Sequence, residues 1–255
     1  YELVAPDGVA TVCGVVHHLV PGALDGWALV RAALAGDPGG VLARLRDLGV
    51  ATARLHRALG TAGDDPSFGA EPLAGTALWS LADRLHADPV LGDDGQHAVA
   101  HLLDAIGADT GAAIRTHGDL HLGQTMVGPD GWVIFDFEGE PARPLADRAE
   151  RRSPLRDVAG LLRSVGYARA THERDGGRPV GPGWEAAARA ALLDGYLATV
   201  DPALLPTSAA AVHRLLTLHE LEKLAYEVAY ERAHRPDWEA IPLGGLQALV
   251  ERVGS

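Results

Sequence analysis

Helical periodicity dominates this chain after its first twenty residues. Residues 9–20 are rich in β-branched side chains and stop at Pro21-Gly22, the pattern of a strand running into a connector. Asp25 then stands where an N-cap belongs, ahead of apolar positions that continue to Ala35 and close at Gly36. A second run links Val41, Leu45, Leu48, Leu55 and Leu59 to Gly60 at helical spacing, and 63–72 carries loop chemistry. Further helices are predicted over 76–86 and 96–106. Two short apolar runs follow, 125–127 and 132–135, separated by Gly128-Pro129-Asp130-Gly131, which predicts a hairpin.

Beyond the hairpin, Ser153-Pro154 supplies a cap and a first-turn proline for a helix from 154 to about 170. Residues 172–183 form a Gly/Pro-rich break, and helices are predicted to start at Trp184 and Thr207. The last long pattern, 209–234, places Leu215, Leu218, Ala225 and Ala229 at helical spacing and stops before Pro236. No internal repeat or low-complexity tail is visible.

Composition narrows the class. With 255 residues, 47% of them hydrophobic, the chain can bury a core as one large domain or a domain with a small appendage. It has no apolar run long enough to span a bilayer, and Tyr1-Glu2-Leu3-Val4 lacks the basic and apolar regions of a secretion signal, so a cytoplasmic protein without a membrane partner is expected. Cys13, the only cysteine, agrees with a reducing compartment and reads as a small core residue. A formal charge of −12 argues against a nucleic-acid surface, which needs clustered Lys and Arg, and favours small-molecule chemistry.

The chemistry concentrates in two segments. Residues His117 to Gln124, within Thr116-His117-Gly118-Asp119-Leu120-His121-Leu122-Gly123-Gln124, follow the kinase catalytic-loop pattern H-x-D-x-x-x-x-N with Gln for Asn. Asp136-Phe137-Glu138 stands where D-F-G would be. Phosphoryl transfer needs a carboxylate at the acceptor hydroxyl and oxygen ligands that hold a metal against the nucleotide phosphates. Asp119 suits the first task. Gln124 and Asp136, brought together by the hairpin, suit the second, and Glu138 is a further candidate. Such a hard oxygen set fits Mg²⁺. His117 and His121 at i, i+4 lack the Cys or further His that would complete a zinc site, and His117 reads as a brace for the loop.

With these residues assembled, the chain resembles the aminoglycoside-phosphotransferase-like kinases, and among them the bacterial maltokinases. The resemblance rests on the catalytic loop, on Asp136-Phe137-Glu138-Gly139-Glu140-Pro141-Ala142-Arg143-Pro144-Leu145 and on Ser153-Pro154-Leu155-Arg156-Asp157-Val158-Ala159-Gly160. Weaker similarity flanks these blocks at 19–27 and from Tyr226 to Trp238. It implies an α+β, mainly helical fold: a protein-kinase-like C-lobe over 21–255 with remnant N-lobe strands and hinge over 1–20. It also implies ATP and Mg²⁺ as cofactors and a small-molecule sugar acceptor, maltose first, with glucosamine and aminoglycosides as competitors. On this analogy Asp119 is the base, Gln124, Asp136 and Glu138 serve the metal, and the hinge backbone of Val16 to Val20, hence His17, His18, Leu19 and Val20, meets adenine. Arg143, Tyr226, Glu227 and Tyr230 become sugar-binding candidates, although Tyr226 and Tyr230 fit an amphipathic packing stripe equally well and Arg143, Arg156 and Asp157 fit structural ion pairs.

The pattern also departs from the family. Kinases of this type use a glycine-rich phosphate cover and an early-strand lysine. This sequence has neither; its one lysine, Lys223, falls in the C-terminal helical run and reads as a surface residue. The chain is therefore expected to be a fragment or a degenerate member, feeble as a catalyst by itself, and a pseudokinase-like lobe that binds a sugar or a partner without chemistry is the competing function. Oligomeric state is not encoded in any motif.

Overall fold

The computed structural model describes residues 2–4, 8, 10–12, 18–141, 143–181 and 183–254, with 2, 3 and 10–12 described in backbone only. At the start, β1 (Glu2–Val4) pairs antiparallel with β2 (Ala10–Val12), Glu2 opposite Val12. The strand predicted over 9–20 is thus seen at 10–12. Cys13, Val16 and His17 lie outside the described residues. Residues 18–20 form no strand; His18 and Leu19 are exposed, and Val20 packs against Gly128.

The predicted helices form close to their expected bounds. β3 (Leu24–Asp25) leads into α1 (Gly26–Ala35), where the Asp25 carboxylate accepts from the Ala28 N–H at 2.8 Å. α2 (Leu42–Gly60), β4 (Glu71–Pro72), α3 (Gly75–His86) and α4 (Gly92–Ile106) follow, then β5 (Ala112–Ala113) beside β4. The hairpin is β6 (Thr125–Gly128) and β7 (Gly131–Ile134), with β3 on its outer edge in the order β3-β6-β7. A short α5 (Leu145–Ala149) precedes α6 (Leu155–Arg174), α7 (Trp184–Leu197), α8 (Ala209–His234) and α9 (Ala240–Gly254). The sequence pattern did not predict α5 or α9.

The core runs as one apolar cluster from Val30 on α1 to Leu249 on α9. α6 is buried on nearly every face through Leu155, Val158, Ala159, Leu161, Leu162 and Val165, so it serves as the axis on which the other helices pack. α2 and α7 approach so closely that a Cβ on Gly195 would stand 2.0 Å from the Arg46 carbonyl oxygen. The loop 114–124 lies along α6, where the Leu122 N–H donates to Ser164 Oγ at 3.2 Å, and α8, also packed on α6, reaches the same loop through Lys223. None of the described helices is long and apolar enough to cross a membrane.

Candidate active site

The loop is fixed from below before any functional group is considered. Asp157, 1% exposed on α6, accepts from the backbone N–H of His117 at 2.8 Å and of Gly118 at 3.0 Å. The same carboxylate meets His56 Nε2 at 3.1 Å, and His56 Nδ1 meets the Tyr196 hydroxyl at 3.0 Å. Burial alone would raise the Asp157 carboxyl; the hydrogen bond and charge of His56, with His117 and Gly118, hold it below the ordinary carboxylate range. Among the readings left open for Asp157, the structural one applies.

His117 braces the loop as expected. Its Nε2 donates to the Phe135 carbonyl at 2.8 Å, its Nδ1 accepts from the Asp119 N–H at 3.3 Å, and its ring lies 4.8 Å from that of Phe137. One imidazole therefore ties the loop that carries Asp119 to the strand end that carries Asp136. Asp136 is the only non-glycine with positive φ, +68°, among the described residues. Gln124 Nε2 donates to Asp136 Oδ2 at 2.6 Å, so the two predicted metal-facing residues meet across the hairpin. Turning the amide over would offer its oxygen instead. Asp136 and Glu138 are exposed, and the described residues hold no group of three or more His, Cys, Asp or Glu placed to chelate an ion. The pair matches a metal that relies on few protein oxygens and on substrate phosphates. His121 lies within electrostatic reach of both Asp119 and Asp136; burial lowers its imidazole, opposed by Asp119.

Lys223 corrects the sequence reading. It is not a surface residue: its Nζ donates to Asp119 Oδ1 at 2.8 Å and to Glu140 Oε1 at 2.9 Å, and its side chain is 15% exposed. Glu140 is in turn gripped by Arg143 and by Arg156, the latter at 2.8 Å, and both arginines reach Glu222 on α8. Arg156 also donates to the Gly118 carbonyl at 2.6 Å. Desolvation opposes ionisation of Glu140, yet Lys223, Arg156 and Arg143 hold its carboxyl at about 2. Glu140, Glu222 and Lys223 belong to this setting although no motif marked them; Glu140 falls inside the similarity block that follows the metal loop, which was the available signal.

The other candidates are placed unevenly. Arg143 is occupied by Glu140 and Glu222. Tyr226, half-buried, lies beneath Lys223 with Nζ 4.8 Å from its ring centroid. Tyr230 is 42% exposed, its ring 6.3 Å from that of Tyr226 and stacked on His234 at 4.4 Å. Glu227 pairs with Arg163 at 3.1 Å. Val20 packs against Gly128 at the end of β6, while His18 and Leu19 are exposed.

The sequence signature of the phosphotransferase enzyme family matches residues 1–204. A glucosamine kinase of Streptacidiphilus jiangxiensis is 31% identical over 95% of this chain and 58% of its own length. A second, from Mycolicibacterium smegmatis strain ATCC 700084 / mc(2)155, is 28% identical over 96% of this chain and 64% of its own length. A solved glucosamine kinase in complex with glucosamine, ADP and inorganic phosphate superposes with a TM-score of 0.70 at 27% identity, covering 91% of this chain and 62% of the other. The chain thus spans about three fifths of the length of these relatives.

Proposed function

Because the chain belongs to the phosphotransferase enzyme family, we propose that it takes part in transfer of the γ-phosphoryl group of ATP to a sugar hydroxyl, with glucosamine as the acceptor. The observation that carries this reading is the single braced unit of Asp119, Gln124 and Asp136, joined through His117 and resting on Asp157. Asp119 takes the acceptor hydroxyl proton as the acceptor oxygen bonds to the γ-phosphorus and the bond to the ADP oxygen breaks. Gln124 and Asp136, with Glu138 at the rim, would hold Mg²⁺, which would neutralise phosphate charge. Residues 18–20, with His17, act as the adenine hinge, so that 1–20 ends an N-lobe and 21–255 forms the C-lobe. Tyr226 offers the sugar an aromatic face next to Asp119; Tyr230, Glu227 and Arg143 border it.

Glucosamine stands ahead of maltose because the relatives that match most of this chain are glucosamine kinases. Maltose remains the second reading, supported by the paired rings of Tyr226 and Tyr230, which could underlie two sugar units. The test is transfer of labelled phosphate from ATP to glucosamine, maltose and an aminoglycoside, with Asp119→Asn alongside. Transfer to glucosamine that falls about 10²- to 10⁴-fold in the variant is expected. Equal turnover by wild type and Asp119→Asn would sink the assignment of the base; sugar binding without transfer would make the chain a non-catalytic lobe.

A further inference from the structure

Lys223 is the only lysine in the chain, and its ammonium has three partners. Asp119 Oδ1 and Glu140 Oε1 accept from it at 2.8 and 2.9 Å, and the Tyr226 ring lies under it at 4.8 Å. Its anchor does not yield easily: Glu140 is 1% exposed and pinned by Arg143 and Arg156. Reaching a phosphate would cost Lys223 two charge-assisted hydrogen bonds, so it does not take the phosphate-binding role of the family's early-strand lysine. Asp119 needs such a partner. Its loop, 117–124, contains no Lys or Arg, and its own backbone N–H is satisfied by His117. Among the described residues, Asp119 Oδ2 accepts no hydrogen bond.

We propose that Lys223 is a positioning residue for phosphoryl transfer: bridging from Glu140, it clamps Asp119 Oδ1 and so presents Oδ2 to the acceptor hydroxyl. The inference rests on Asp119 being the base. α8 then contributes to the reaction from a point 104 residues beyond that carboxylate in sequence. A carboxylate free to rotate spends less time in the productive geometry, so loss of the clamp lowers kcat more than it changes KM for either substrate.

Two measurements test this, one of them independent of turnover. In protein labelled with ¹⁵N-lysine, the lone side-chain ammonium should give a slowly exchanging signal at neutral pH that shifts in Asp119→Asn; a rapidly exchanging signal, or one indifferent to Asp119→Asn, overturns the proposal. Kinetically, Lys223→Met should lower kcat about 10²-fold with KM for sugar and nucleotide changed little, and Lys223→Arg should recover part of the loss. Full kcat in Lys223→Met, or a loss confined to KM, overturns it. If Lys223→Met does not fold, Lys223→Arg and the ammonium signal decide. If the wild type transfers phosphate to no acceptor, the chain by itself is a non-catalytic lobe, and the ammonium signal alone upholds or removes the clamp on Asp119.

Discussion

Glu140 concentrates the electrostatics of the site in one side chain. Its carboxyl is held at about 2 against a usual 4.5, despite burial, because Lys223, Arg156 and Arg143 surround it. The folded value is the depressed one, so the stabilisation is fully present above pH 4.5 and is lost as pH falls toward 2. Integrated over that interval it amounts to about 3 kcal/mol. Urea midpoints followed from neutral pH downward should therefore fall steeply below pH 4.5 in the wild type. Glu140→Gln should be less stable at neutral pH and show a flatter acid limb, while equal slopes would disprove the assignment. The same residues mark what sequence spacing can and cannot convey. The meeting of Gln124 with Asp136 was legible because a hairpin is a local structure that joins residues at short separations. Lys223 was misread because its partners lie 104 and 83 residues away, and no periodicity encodes an ion pair across the core.

At the level of elements, α6 earns its central place through one close approach. A Cβ on Gly160 would stand 2.3 Å from the carbonyl oxygen of Leu120, immediately after Asp119, so the helix backbone and the loop backbone are in contact. Gly160→Ala should push the loop away from α6. We expect a loss of about 1–3 kcal/mol in unfolding free energy and a larger fall in kcat than the same substitution causes at exposed Gly75, which faces open space. A Gly160→Ala protein with unchanged melting temperature and turnover would show that the loop does not depend on this contact. Most helices were readable because Asp25 and the Gly and Pro breaks mark their ends chemically. α9 was not, since Pro242 and Gly244-Gly245 argue locally against a helix; burial of Pro242, Leu246 and Leu249 against the rest of the core overrides that preference.

The molecule as a whole carries a formal charge of −12, which bears on the choice of acceptor. A protonated amino sugar is drawn toward an acidic protein, whereas maltose, being neutral, is not. The attraction acts through solvent and is therefore screened: from about 0.01 M to about 1 M salt the Debye length shrinks from ~30 to ~3 Å. Contacts made at short range inside the site, such as an aromatic face against a sugar ring, change little over the same interval. KM for glucosamine should thus rise several-fold with salt, while KM for maltose stays level. Nucleotide must be saturating throughout, because ATP is itself an anion whose approach salt would assist. On the proposed reading both sugars would meet the same Asp119, so the comparison isolates the acceptor term. Parallel salt dependence for the two sugars would mean that the acidic surface does not select the amine, and the preference for glucosamine would then have to come from a direct carboxylate contact such as Glu227, releasing its pairing with Arg163.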